Sequence, residues 1–416
     1  MDLIFYPSTL KGSVIVPPSK SITHRHLICA ALSKKKSIIH NPLISDDTLA
    51  TIDVLKQLGA KFKFYNDKIV VKGCGIPKVK ERTLTILESA TTLRILLPIL
   101  VLFSSKITIN STKRLIDRIH TSDLLDLRGL DFQRKDHSII ITGNLTDKEI
   151  ELSGKITTQL ISGVLLALPY LEDTSLSIHH TDFENPYLEL TLDAMRKFGI
   201  LYEITDNKIR VEKNSKYISR ESYIEGDFSN GAVWLVAGCF HRDLKISGLN
   251  MESFQGDRKI IDYLKLMGIE FSYIDNVFSY KSGELASTTI NVDETPDLAP
   301  ILVAVASVAS GTIIIEGTSK LKYKESNRKK AISEVVNLLG GNVNLEGDKI
   351  IITGRTKLKG ATELSAYNDH RIVMASAILA SIAREPVVLR DFQVVNKSYP
   401  NFFIDLANVG AKFEVI

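Results

Sequence analysis

Six glycines, Gly59, Gly129, Gly199, Gly268, Gly340 and Gly410, each follow a helix-like run and precede a strand-like one, at separations of 70, 70, 69, 72 and 70 residues. A glycine just past a helix is common, because that position favours a left-handed backbone that costs Gly nothing. Six at near-constant spacing define a repeat. After five of them comes an alternating strand, a turn and a second strand, as in the stretches 61–71 and 342–352. The sixth stops at Ile416 after one strand, so the start of the chain is expected to complete it. Each repeat also carries a more apolar helix, at 27–32, 93–103, 160–168, 232–237, 299–309 and 372–380, and a helix apolar nearly all round is a buried one. At 416 residues the chain exceeds one ordinary core. The expected fold is therefore α/β (α+β), with six units of two helices and about four strands in two lobes of three and a cleft between them for chemistry.

Composition narrows the function. Lys plus Arg is 52 against 48 for Asp plus Glu, a net charge of +4, so no broad basic surface for nucleic acid is implied and bound anions must be held by local clusters. Cys29, Cys74 and Cys239 form no CxxC pair and no disulfide framework. The longest apolar stretches, such as 95–103 and 301–309, are too short to span a bilayer, and Met1-Asp2 lacks the basic start of a signal peptide. The expectation is a cytoplasmic protein with no nucleic-acid or membrane partner.

Polar residues concentrate just before the apolar helices. Pro17-Pro18-Ser19-Lys20-Ser21-Ile22-Thr23-His24-Arg25 is either an ordinary N-cap with solvated basic neighbours or an anion site built on a helix start. Thr157-Thr158-Gln159 opens the third apolar helix. In Lys322-Tyr323-Lys324-Glu325-Ser326-Asn327-Arg328, Lys324 and Arg328 are four apart and are expected to share a helix face, on a solvated surface or at a site. Tyr367-Asn368-Asp369-His370-Arg371 places another Arg and a titratable His before the last apolar helix. His24-x-His26 and His179-His180 lack a third ligand at metal spacing, which favours structural histidines. No P-loop string occurs, and Gly73-Cys74-Gly75 is not a dinucleotide fingerprint. Trp234, in an apolar helix, is expected in a core.

Taken in order, Pro18-Ser19-Lys20-Ser21 with Arg25, Ser45-Asp46-Asp47-Thr48, Thr91-Thr92-Leu93-Arg94, Thr158-Gln159, Asn185-Pro186-Tyr187, Glu225-Gly226-Asp227, Gln255-Gly256-Asp257, Pro296-Asp297, Lys324-Glu325-Ser326 with Arg328, and Asn368-Asp369-His370-Arg371 resemble the motifs of the 5-enolpyruvylshikimate-3-phosphate synthase family. The resemblance implies a two-lobed inside-out α/β barrel of six βαβαββ repeats. The lobes would be 17–226, on the shikimate-phosphate side, and 1–16 plus 227–416, on the phosphoenolpyruvate side, with crossings near 13–19 and 224–228. It implies transfer of the enolpyruvyl group of phosphoenolpyruvate to the 5-hydroxyl of shikimate 3-phosphate with release of phosphate, by a monomer with no metal and no organic cofactor. Two substrates carrying two phosphates and two carboxylates repel each other unless cations surround them.

By resemblance Lys20, Thr91, Arg118, Gln159, Arg328, Arg371 and Lys397 hold phosphoenolpyruvate. Lys20, Ser21, Arg25, Thr157, Thr158, Gln159, Tyr187, Asp297 and Lys324 form the shikimate-phosphate set. The catalytic set is Asp297, Glu325, Lys20 and His370, with Glu325 exchanging the proton at the methylene carbon and Asp297 taking that of the 5-hydroxyl.

Some positions depart from the family pattern. Glu88-Ser89-Ala90-Thr91 puts a carboxylate where phosphoenolpyruvate could be repelled, and the Ala90 methyl is expected to crowd the inhibitor glyphosate. Glu184 stands where a Ser usually meets the shikimate phosphate, Asn327 replaces an Asp, and Ile119 follows Arg118 in place of Pro. The competing readings are a catalytically impaired binding paralogue and a UDP-N-acetylglucosamine enolpyruvyl transferase. The second is opposed by Lys20-Ser21 where that enzyme has a Lys-Asn pair.

Overall fold

Parallel strands need a long crossover and antiparallel ones a short turn, and this chain alternates the two six times. In the computed structural model, which describes residues 1–77, 82–118, 127–145, 147–154, 157–171, 173–354 and 357–416, these strands form six four-stranded sheets. The third repeat shows the plan. Glu149–Ser153 lies parallel to Ser175–His179, which pairs antiparallel with Lys208–Val211, and Tyr202–Thr205 forms the edge. Helix Gln159–Ala167 links the parallel pair, and Pro186–Lys197 leads to the hairpin, giving the order βαβαββ. Asp206 and Asn207 make the two-residue hairpin turn, both at positive φ as the strand twist requires.

Distant segments complete three of the sheets. Glu221–Tyr223 lies parallel to Lys36–His40, and Gly12–Ile15 parallel to Leu244–Ser247. Leu3–Tyr6 inserts antiparallel between Val387–Leu389 and Lys412–Val415, so the start of the chain does finish the last repeat. All six repeat glycines have positive φ, from 82° at Gly129 to 105° at Gly59. Leu125 and Asp126 of the second repeat's helix end, and Ile119, lie outside the described residues.

The chain divides into two compact units, Met1–Pro17 with Glu225–Ile416, and Pro18–Ile224. Each holds three sheets and its own apolar core. Helices Lys20–Leu32, Ala90–Leu102 and Gln159–Ala167 are buried in one. Phe228–Phe240, Ala299–Ala306 and His370–Ile382 are buried in the other. Trp234 is fully buried in that second core, its Nε1 donating to the Tyr399 hydroxyl at 3.0 Å. Among the described residues no helix is long and apolar enough to cross a membrane.

Candidate active site

In the unit Pro18–Ile224, short polar segments cap the three buried helices. Ser19 caps Lys20–Leu32 by accepting from the Ile22 amide, and Ser89 caps Ala90–Leu102 by accepting from the Thr92 amide. Lys20, the first residue of its helix, is bonded through Nζ to Asp47 Oδ2 at 2.8 Å. Arg25 lies one turn further in and is only 3% exposed. Its guanidinium donates to the Thr191 hydroxyl at 2.8 Å, the Ser21 carbonyl at 2.9 Å, the Tyr187 carbonyl at 2.9 Å and Ser162 Oγ at 3.3 Å. Every partner is neutral, and among the described residues no carboxylate pairs with it. Burial pushes its pKa down to about 10, the direction expected of a buried cation with no carboxylate bonded to it.

Gly163 lets two helices meet closely, since a Cβ there would lie 2.6 Å from the Ile95 carbonyl oxygen. One turn earlier, Gln159 therefore reaches Thr91, donating from Nε2 to its hydroxyl at 2.9 Å, and accepts from Arg94 Nη1 at 3.2 Å. The Thr157 hydroxyl accepts from the Gln159 amide, and Thr158 is the helix N-cap. Ala90 is the buried first residue of Ala90–Leu102. Glu88 accepts from the Thr112 hydroxyl and from Arg114 Nη1. Glu184 is exposed in the turn before Asn185. His24 and His26 are buried structural histidines, bonded to Thr51 and Ser222, and burial pushes both down to about 3. The side chain of Arg118 lies outside the described residues; its backbone is in the helix Lys113–Arg118.

In the other unit, Arg328 is the hub. It is 1% exposed and donates through Nε to Asp369 Oδ2 at 2.8 Å, through Nη1 to Asp297 Oδ1 at 2.6 Å, and through Nη2 to Glu325 Oε2 at 2.6 Å and Asp369 Oδ1 at 3.3 Å. Burial alone would weaken this cation, but Asp369, Glu325 and Asp297 reverse that and fix its charge. Four of its five N–H groups are thus committed to protein carboxylates. Lys324 Nζ also meets Asp297 Oδ1, at 3.1 Å. Burial opposes the Asp297 charge, yet Lys324, Arg328 and Arg371 outweigh it and hold the carboxyl well below its usual range.

Asp369 caps helix His370–Ile382, accepting from the Arg371 amide. His370 is buried in its first turn, with Nδ1 4.0 Å from Asp369 Oδ1. Arg371, 6% exposed, makes one side-chain hydrogen bond among the described residues, from Nη1 to Asn230 Oδ1 at 3.1 Å. Among the described residues its Nε has no partner and no carboxylate pairs with it. The Asn230 amide in turn donates to the Ser398 carbonyl, beside Lys397, which ends the turn Phe392–Lys397. Asn230 thus ties Arg371 to the backbone of the Lys397-Ser398 segment.

One expectation is corrected. Asn327 caps a helix that starts only at Arg328, so Lys324 lies before it in extended backbone and the two cations share no helix face. They converge instead on one oxygen of Asp297. Asp47, Asp369, Asn230 and Asp257 were not assigned roles by the sequence reading, although all but Asn230 fall inside its motifs. The available signal was position: each is a polar residue at or within the first turn of a helix or a 3-10 turn.

The sequence profile of EPSP synthase (3-phosphoshikimate 1-carboxyvinyltransferase) matches residues 5–406. The chain belongs to the EPSP synthase family. It is 37% identical over 424 residues to the 3-phosphoshikimate 1-carboxyvinyltransferase of Clostridium botulinum, covering 98% of this chain and 97% of that one. To that of Clostridioides difficile it is 36% identical over 433 residues, covering 99% and 98%. The fold is similar to that of EPSP synthase from Acinetobacter baumannii, with a TM-score of 0.80 at 22% identity over 100% of both chains. The enolpyruvyl transferase NikO from Streptomyces tendae is also similar in fold, at a TM-score of 0.76 and 17% identity, covering 99% of this chain and 98% of that one.

Proposed function

We infer that this member of the EPSP synthase family is a 3-phosphoshikimate 1-carboxyvinyltransferase, moving the enolpyruvyl group of phosphoenolpyruvate onto the 5-hydroxyl of shikimate 3-phosphate. The observation that carries the residue-level reading is a pair of buried arginines, Arg25 in one unit and Arg371 in the other, whose hydrogen-bond partners among the described residues are all neutral. A buried cation with no carboxylate bonded to it is costly, and a substrate phosphate or carboxylate removes that cost. Arg25 with Ser21, Tyr187, Thr157 and Thr158 serves shikimate 3-phosphate. Arg371 and Lys397, with Thr91, Gln159, Arg118 and the remaining N–H of Arg328, serve phosphoenolpyruvate. Lys20 serves both.

In the reaction the 5-hydroxyl oxygen bonds to C2 of phosphoenolpyruvate, its proton passes to Asp297, and Glu325 delivers a proton to the methylene carbon. The C2–O bond to phosphate then breaks as a methyl proton returns to Glu325. With Lys324, Arg328 and Arg371 around it, Asp297 is a weak base. Substrate anions taking up those cations raise its basicity when both ligands are present. Phosphate release from phosphoenolpyruvate, with shikimate 3-phosphate or UDP-N-acetylglucosamine offered separately, tests the reading. Release with the first alone supports it, and release with the second alone or with neither overturns it.

A further inference from the structure

Glu88 appears in the sequence as a liability, a carboxylate one position from the cap of the helix that carries Thr91. The fold gives it a different place. Strands Arg82–Thr85 and Lys106–Asn110 are parallel neighbours, so the segments leaving their C-terminal ends emerge side by side. One leads through Glu88 into helix Ala90–Leu102, the other through Thr112 into helix Lys113–Arg118. Thr112 caps the second helix: its carbonyl accepts from the Ile116 amide and its hydroxyl from the Leu115 amide at 3.2 Å. That hydroxyl donates its own proton to Glu88 Oε1 at 2.9 Å, while Arg114 Nη1 reaches Glu88 Oε2 at 3.3 Å. Both charged side chains are 30% exposed.

The placement of a short helix depends on tertiary ties more than on its own propensity. Leu115 and Ile116 are buried and anchor one face. The Glu88 carboxylate holds the N-terminal end, where negative charge also suits the helix dipole. We propose that Glu88 is a positioning residue for the phosphoenolpyruvate subsite, clamping the Thr112–Arg114 start of the neighbouring helix to the start of helix Ala90–Leu102 and so fixing where Thr91 and its partner Gln159 stand. This rests on the assignment of Thr91 and Gln159 given above.

The test separates two opposite signs. If Glu88 acted on the substrate by repulsion, removing its charge would tighten phosphoenolpyruvate; as a clamp, removing it loosens phosphoenolpyruvate. In the full chain, Glu88→Gln keeps the volume and an acceptor for Thr112 but loses the charge that Arg114 meets. The expected result is a KM for phosphoenolpyruvate raised about tenfold, with the KM for shikimate 3-phosphate changed less than about twofold. Arg114→Met should give the same split, and the double variant should be no worse than either single, because one clamp is being opened. A phosphoenolpyruvate KM that is unchanged or lowered, both KM values rising together, or multiplying effects in the double variant would each overturn the proposal. Calorimetric titration of phosphoenolpyruvate in the presence of shikimate 3-phosphate reads the same affinity ratio without turnover. A wild-type chain that releases no phosphate would therefore count against the activity, while this titration still decides the role of Glu88.

Discussion

Asp257 offers a perturbation whose sign and size both follow from its surroundings. It sits in the turn Gly256–Lys259, 4% exposed, with Oδ2 accepting from the Ser229 hydroxyl and Oδ1 without a partner among the described residues. Burial raises its pKa from 3.8 to about 7; repulsion from Asp297 and Asp227 adds to this, and the Ser229 bond and Arg371 work against it. Tyr263, from the following helix, faces it as well. Between pH 3.8 and 7 the folded protein holds a proton here that the unfolded chain has lost, so this contribution to stability falls as pH rises through that window. Above pH 7 the full cost is present. At about 1.36 kcal/mol for each pH unit, the rise from 3.8 to about 7 sets a ceiling of about 4 kcal/mol, which relaxation around the site reduces. Asp257→Asn resembles the protonated acid in shape and donors. It should stabilise the protein by about 1–4 kcal/mol at pH 8 and have little effect at or below about pH 4. Trp234 is the single tryptophan and is buried in the same unit, so its fluorescence in urea unfolding reads the change where it occurs. Equal shifts in unfolding free energy at both pH values, or destabilisation that grows with pH, would refute the reasoning.

Other expectations are simpler to read. Asp297→Ala should lower kcat by about a thousandfold or more while shikimate 3-phosphate binding stays measurable by calorimetry, and near-normal turnover would remove Asp297 from the proton path. Arg25→Met should change the thermal midpoint little, since the gain from deleting a buried charge with no bonded carboxylate is offset by the oxygens of Thr191, Ser21, Tyr187 and Ser162 that lose their donor. The same variant should weaken shikimate 3-phosphate binding by about a hundredfold, and a large fall in the midpoint with affinity intact would show Arg25 to be structural. Ala90→Gly should lower the inhibition constant for glyphosate by removing the buried methyl at the helix start, and an unchanged constant would sink that reading.

The repeat was legible in the linear chain because its causes are local. A glycine ends each outer helix in a left-handed conformation, strand alternation spans a few residues, and an all-apolar helix declares its burial wherever it lands. Candidate cations could be named for a similar reason, since Lys20, Arg25 and Arg371 stand in the first turns of such helices and Arg328 opens an outer one. What each cation does could not be read, because its partners are set by which strand ends come together. Lys20 meets Asp47, 27 positions away, and Arg328 meets Asp369, 41 away. Glu88 illustrates the difference. As a letter beside Thr91 it is a negative charge near an anion site, and only the parallel pairing of two strands turns it toward Thr112 and Arg114. Periodicity thus determined how the backbone is built, while tertiary packing decided the charge balance. Coulomb interactions depend on distances through space and on burial, neither of which is written in sequence separation.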